Sequence, residues 1–345
     1  MRARARASRR ARRQRGRLVA CASQTPQPAP WQRWLRRLGG VLFFCGVAFL
    51  LVREAQGIAW HEVLVAARAY TAPQLLGAAA LAAASLTLYS CFDLLGRRYT
   101  GHRLGAPQVI AVTFISYVFN MNLGSLVGAL ALRFRLYSRL GLAYGVIARV
   151  ASLSMLTNWL GYTLLAGAVF VLHPPALPHG WPFDARGWPY LGAGLLALGV
   201  AYAMFSALSR RRCFSVRGHE LLLPGPGLTA LQSAMGVANW LLMAGILFML
   251  LPVAVPFSAV VGVLLVASIA GALTHIPAGL GVLEAVFVAL LSGYAGKTEL
   301  LAALVVYRLI YYLLPLALAA LAYVAAEALT RPALETGVAP RPPDC

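Results

Sequence analysis

The stretch Thr274-His275-Ile276-Pro277-Ala278-Gly279-Leu280-Gly281-Val282-Leu283-Glu284 decides how this chain folds. It interrupts a long apolar run in which a helix would otherwise continue. Proline removes a backbone donor and clashes with the turn before it. The glycines loosen the helix further. Broken backbone survives in hydrocarbon only where protein or a water-filled cavity covers it. The stretch therefore predicts a membrane helix broken at Pro277, Gly279 and Gly281. Two polar groups, His275 and Glu284, stand at the break.

The rest of the chain supplies the membrane. Its 345 residues are 60% hydrophobic and only 12% charged, with a mean hydropathy of +0.72. A soluble domain is about 45–50% apolar and about 25% charged. The apolar runs are long and continuous, as helical spans require, and lack the short alternating pattern of a barrel. The fold class is therefore all-α, a polytopic helical membrane protein.

The formal net charge of +20 is unevenly placed. Nine arginines lie between Arg2 and Arg17. Others cluster between apolar runs, where they report topology. No nucleic-acid-binding module accompanies them, so no nucleic-acid partner is expected. The five cysteines are far apart and form no CxxC pair. They predict no disulfide framework and no metal site, and nothing in the chain asks for a cofactor.

Residues 1–32 are Arg/Ala-rich and then Gln/Pro-rich, and read as a disordered, basic cytoplasmic arm. A transmembrane domain follows over 33–328, and 329–345 form a cytoplasmic tail. Apolar segments run over 38–52, 73–95, 108–131, 145–172, 190–208, 228–251, 257–275, 276–292 and 300–325. Arg33, Arg36 and Arg37 precede the first segment and place the N-terminus on the cytoplasmic side.

Arg133, Arg135 and Arg139 conflict with simple counting, which would put them outside. A re-entrant hairpin restores them to the inside. Its break is expected among Asn120, Asn122, Gly124 and Gly128. The opening stretch is the tip of a second hairpin. About six full spans and two hairpins result, or about eight spans by hydropathy alone. The halves, 33–172 and 190–325, then repeat with opposite orientation at an offset of about 155 residues.

Ionisable residues inside apolar segments are expensive and are functional candidates. Arg133, Arg135, Arg149 and Arg308 are candidate contacts for an anionic substrate, because guanidinium meets phosphate bidentately. Glu284 is the expected partner of Arg308. With His275 it forms a candidate coupling or structural pair. Asp93 is expected to pair locally with Arg97. No catalytic motif appears, neither GxSxG nor HExxH nor a Walker loop, so the chain is not expected to be an enzyme.

Four motifs in order carry a resemblance: GALALRFRLYSRLGL (128–142), TNWLGYTLLAG (157–167), HIPAGLGVLEAVFVALL (275–291) and YRLIYYLLPL (307–316). Together they resemble the lysylphosphatidylglycerol synthase transmembrane (flippase) domain superfamily, in its YbhN-type bacterial inner-membrane branch. The resemblance implies a membrane module that handles phospholipid, without the soluble aminoacyl-transferring domain of the synthases. The family's Gly-Gly-acid-x-x-Arg pattern is altered here. Val127-Gly128-Ala129 stands at its start, and Arg133 follows. The implied function is a flippase or transport component for anionic phospholipid. The alternatives are a scaffold for a membrane-protein partner in lipid synthesis, or a small-solute transporter.

Overall fold

A computed structural model describes residues 70–123, 130–176, 186–209, 213–216, 219–274 and 279–329, together with Val65 and Arg68. All lie in one compact unit, Ala59–Cys345. The basic arm, the 38–52 segment and residues 330–345 fall outside the described residues. So do Gly124, Gly128, His275 and Pro277.

Helix α1 (Ala72–Ser90) continues after a turn at Cys91 into α2 (Phe92–Thr100). Thr71 opens it. The Gln74 side-chain oxygen accepts from the Thr71 backbone N–H at 3.0 Å and from its hydroxyl at 2.9 Å. Pro73, in the first turn, sits where a missing donor costs nothing. Then come α3 (Ala106–Leu123) and the short α4 (Leu132–Arg139). The long rods α5 (Tyr144–Leu172) and α6 (Gly187–Leu208) follow. Strands β1 (Cys213–Val216) and β2 (His219–Leu222) pair antiparallel with Cys213 opposite Leu222, a small exception to the all-α expectation.

The second half holds α7 (Pro226–Leu250), α8 (Phe257–Thr274), the short α9 (Val282–Leu291) and α10 (Lys297–Arg308). A π-helical turn over Leu309–Leu313 leads into α11 (Leu314–Leu329). Pro315 explains that turn. Its ring excludes the ordinary bond to the carbonyl four residues back, at Tyr311, and the helix widens locally.

Seven helical stretches among the described residues are long and apolar enough to cross a bilayer. The protein is a polytopic helical membrane protein. Five of the seven are rods of 22 to 29 residues, counting α1–α2 and α10–α11 as continuous. The other two, α3 and α8, have 18 residues each. Each is followed by a shorter helix packed against it: α4 on α3, and α9 on α8. Over the described residues these run for 8 and 10 residues.

The packing has an internal symmetry. The exchange of α1–α2 with α7, α3 with α8, α4 with α9, and α5 with α10–α11 preserves the contacts. Thus α3 packs on α1 and α11, as α8 packs on α7 and α5. Likewise α4 bridges α3 and α5, as α9 bridges α8 and α10. Equivalent elements begin about 150 residues apart. The centre is the last rod, 56% buried over its most apolar window, whereas only 17% of the α6 window is buried. α6 therefore turns most of its surface outward.

One expected break needs correction. Helix α3 runs unbroken through Asn120 and Asn122 to Leu123. The Asn122 amide donates to the Val118 carbonyl at 2.8 Å, which satisfies it along the helix instead of opening a turn. The described residues carry no break at Asn120 or Asn122, and Gly124 and Gly128 lie outside them.

Candidate anion-binding site

The break at the opening stretch is built by glycine. Gly279 and Gly281 have φ of +58° and +77°, a region that side chains with a Cβ rarely adopt. Helix α9 starts immediately after Gly281 and carries Glu284 in its first turn. A carboxylate there faces the positive end of the helix dipole. Arg308 lies at the end of α10, against the π-helical turn.

These elements bring Arg308 and Glu284 into a bidentate pair. Arg308 Nε donates to Glu284 Oε1 at 2.6 Å, and Nη2 to Oε2 at 3.1 Å. Nη2 also donates to the Gly279 carbonyl at 3.2 Å, so the guanidinium holds the broken backbone as well. The Tyr312 ring centroid lies 5.7 Å from the guanidinium carbon. The Arg308 side chain is 4% exposed and that of Glu284 is 22% exposed. The pair is closed on the arginine side and open on the carboxylate side.

The first half contains a second pair. Arg133 on α4 lies 3.2 Å from Asp93 of α2, measured from Nε to Oδ2. The same Asp93 oxygen accepts the Tyr137 hydroxyl at 2.8 Å, and Arg133 Nη2 donates to Ser154 on α5 at 3.3 Å. Side-chain exposures are 3% and 0%, so this pair is sealed on both sides. Arg133 does not reach for the membrane surface, and Asp93 does not serve as a local partner of Arg97. Burial decides this: a buried guanidinium needs the nearest carboxylate, and α2 and α4 place Asp93 there.

The contact of Arg133 with Ser154 and that of Glu284 with Arg308 occupy equivalent places in the repeat. Arg133 and Glu284 lie on the short helices α4 and α9, and Ser154 and Arg308 on the rods that follow them. The arginine has changed sides.

A column of tyrosines stands between the two pairs. Tyr89 stacks on Tyr117 with centroids 3.4 Å apart. The Tyr89 hydroxyl meets Ser154 and Arg133. The Tyr117 hydroxyl lies 3.2 Å from that of Tyr311. Tyr311, in the π-helical turn, lies 2.8 Å from the Ser85 hydroxyl, which donates to Asn239 at 2.9 Å. Tyr307 and Tyr312 flank Tyr311 and complete the link to Arg308.

The other candidates are dispersed. Arg135 is half-buried, 5.8 Å from the Tyr323 ring centroid. Arg149 is exposed on α5 and is not drawn into either pair. Asp93 and the tyrosine column were not legible as partners. The available signal was that Asp93 and Arg133, opposite charges within apolar segments of one half, each needed a counter-ion.

His102, in the loop after α2, lies 6.5 Å ring to ring from Tyr137. Burial, and then the charge of Arg97, push its pKa below the ordinary imidazole value. At neutral pH it adds no charge beside Asp93. Among the described residues, no group of three His, Cys, Asp or Glu is placed to hold a metal ion.

The family described as the lysylphosphatidylglycerol synthase TM region matches residues 37–319. Inner membrane protein YbhN of Escherichia coli (strain K12) is 44% identical over 299 residues, covering 86% of this chain and 94% of that protein. Uncharacterized protein slr0712 of Synechocystis is 28% identical over 295 residues, covering 85% of this chain and 91% of that protein. Phosphatidylglycerol lysyltransferase of Staphylococcus haemolyticus is 25% identical over 299 residues, covering 83% of this chain but only 33% of that protein.

Proposed function

The chain belongs to the lysylphosphatidylglycerol synthase transmembrane family, and we propose that it moves an anionic phospholipid between leaflets without transferring any group to it. It is a multi-pass inner-membrane protein, and its arginine clusters favour a cytoplasmic N-terminus. The observation that carries the reading is Arg308, 3% exposed, yet held beside a helix break by a carboxylate that reaches the surface. A phosphate suits such a buried guanidinium, because the planar fork of arginine offers it two parallel hydrogen bonds.

Paired broken helices in an inverted repeat also suit alternating access around a central site. The name of the lysyltransferase relative attaches phosphatidylglycerol to that protein, which makes this lipid the first cargo to test. The test is reconstitution into liposomes with fluorescent phosphatidylglycerol and a measurement of leaflet exchange. Exchange faster than in empty liposomes is expected, and Arg308→Lys, which keeps the charge but loses the fork, should slow it. Rates equal to empty liposomes under several ion gradients would overturn the reading.

A further inference from the structure

We propose that Glu284 is a resident competitor for the anion site on Arg308, and that the phosphate of an anionic lipid headgroup takes its place. The inference rests on the lipid reading above and adds a regulatory step to the same site. It follows from the contrast between the two buried pairs. Asp93 is 0% exposed and Arg133 is 3% exposed. No anion can reach either without the fold opening. Glu284 is 22% exposed while Arg308 is 4% exposed, so its carboxylate can leave toward the surface.

Arginine cannot shed its proton to relieve burial. An unpaired buried guanidinium is costly, so Glu284 holds the site most of the time and yields it to another anion. The edge of Arg308 that faces Glu284 presents Nε and Nη2 to two oxygens. Two oxygens of a phosphate fit the same edge.

The backbone that Arg308 holds is open at its glycines. Among the described residues, no atom lies within 4 Å of the position a Cβ would occupy on Gly279 or Gly281. Leu273 and Leu280, on either side of the break, are 74% and 38% exposed. An acyl chain has an apolar surface to lie on there while its phosphate meets Arg308.

A lock closed about nine-tenths of the time lowers apparent affinity about tenfold. The full chain is placed in phosphatidylcholine nanodiscs, and binding of phosphatidylglycerol is titrated by native mass spectrometry. Parallel titrations use inorganic phosphate. Glu284→Gln keeps the shape and removes the charge, and is expected to bind phosphatidylglycerol about tenfold more tightly. Arg308→Lys is expected to lose binding. Asp93→Asn, at the sealed pair, is expected to show no gain.

Equal phosphatidylglycerol affinity in wild type and Glu284→Gln, with loss in Arg308→Lys, overturns the competition and leaves the lipid reading standing. No binding to any form, wild type included, removes the lipid reading itself. A gain confined to inorganic phosphate overturns the lipid headgroup as occupant. Should Glu284→Gln fail to fold, Glu284→Asp retracts the carboxylate by one methylene. It is expected to give a smaller gain, and no gain there overturns the proposal.

Discussion

At the scale of single residues, the two ion pairs separate structure from function. Asp93 and Arg133 are both sealed, and each satisfies the other's charge. Asp93→Asn leaves a buried guanidinium without its counter-charge. Breaking such a pair costs about 3–5 kcal/mol. A clear fall in thermal stability in detergent is expected, with a replacement of both partners by leucine recovering much of it. If Asp93→Asn melts like the wild type, the pair is not holding α4 against α2. Arg308 was legible as a buried charge because it stands inside an apolar run among tyrosines. Its partner Glu284 was legible because it follows the proline–glycine break. Asp93 was misread because Arg97, four residues away on the same helix, offered a simpler pairing. Sequence proximity is a poor guide where a third element brings a competing charge closer.

At the scale of elements, two kinds of contact set the geometry. Glycine sets the crossing of α5 and α7. A Cβ on Gly161 would stand 2.2 Å from the carbonyl carbon of Gly236, and one on Gly236 would stand 2.4 Å from the Thr157 carbonyl oxygen. Neither backbone can yield as a flexible side chain would. Gly161→Val should therefore cost at least the roughly 1–3 kcal/mol typical of overpacking. Gly145→Ala on the same helix, with open space around it, should keep wild-type stability. Thermal melts of the two variants check this. The short helices are the second feature. The arginines of α4 follow an apolar segment, and a hairpin there would keep Arg139 on the cytoplasmic side. A single cysteine at Arg139, which is exposed, should react with an impermeant maleimide from the cytoplasmic side only. Labelling from outside in intact cells would sink the hairpin topology. Tyr137 is a poor choice for this test, because it is buried with its hydroxyl on Asp93.

At the scale of the whole molecule, the repeat is the organising fact. The two halves pack by the same rules, yet they carry different charges at equivalent places. One pair is sealed and the other opens at its carboxylate, so a symmetrical scaffold holds an asymmetrical site. The tyrosine column through Tyr89, Tyr117 and Tyr311 joins the two. Sequence by itself determined the solvent, the class and the plan. Apolar run length demands a bilayer, and the glycines of the opening stretch mark a helix break. These are local properties, set by transfer free energy and backbone sterics within a few residues. Sequence did not place the first break, since Asn122 was satisfied inside α3 by the turn before it. Only the tertiary structure decided which charge meets which, and how deeply. Pairing and burial depend on the distance between helices far apart in the chain, and a low-dielectric interior magnifies small differences in that distance. That is why Thr274 to Glu284 was recognisable as a break from its letters alone. The one-sided exposure of Glu284 against Arg308 emerged only once α9 and α10 were packed together.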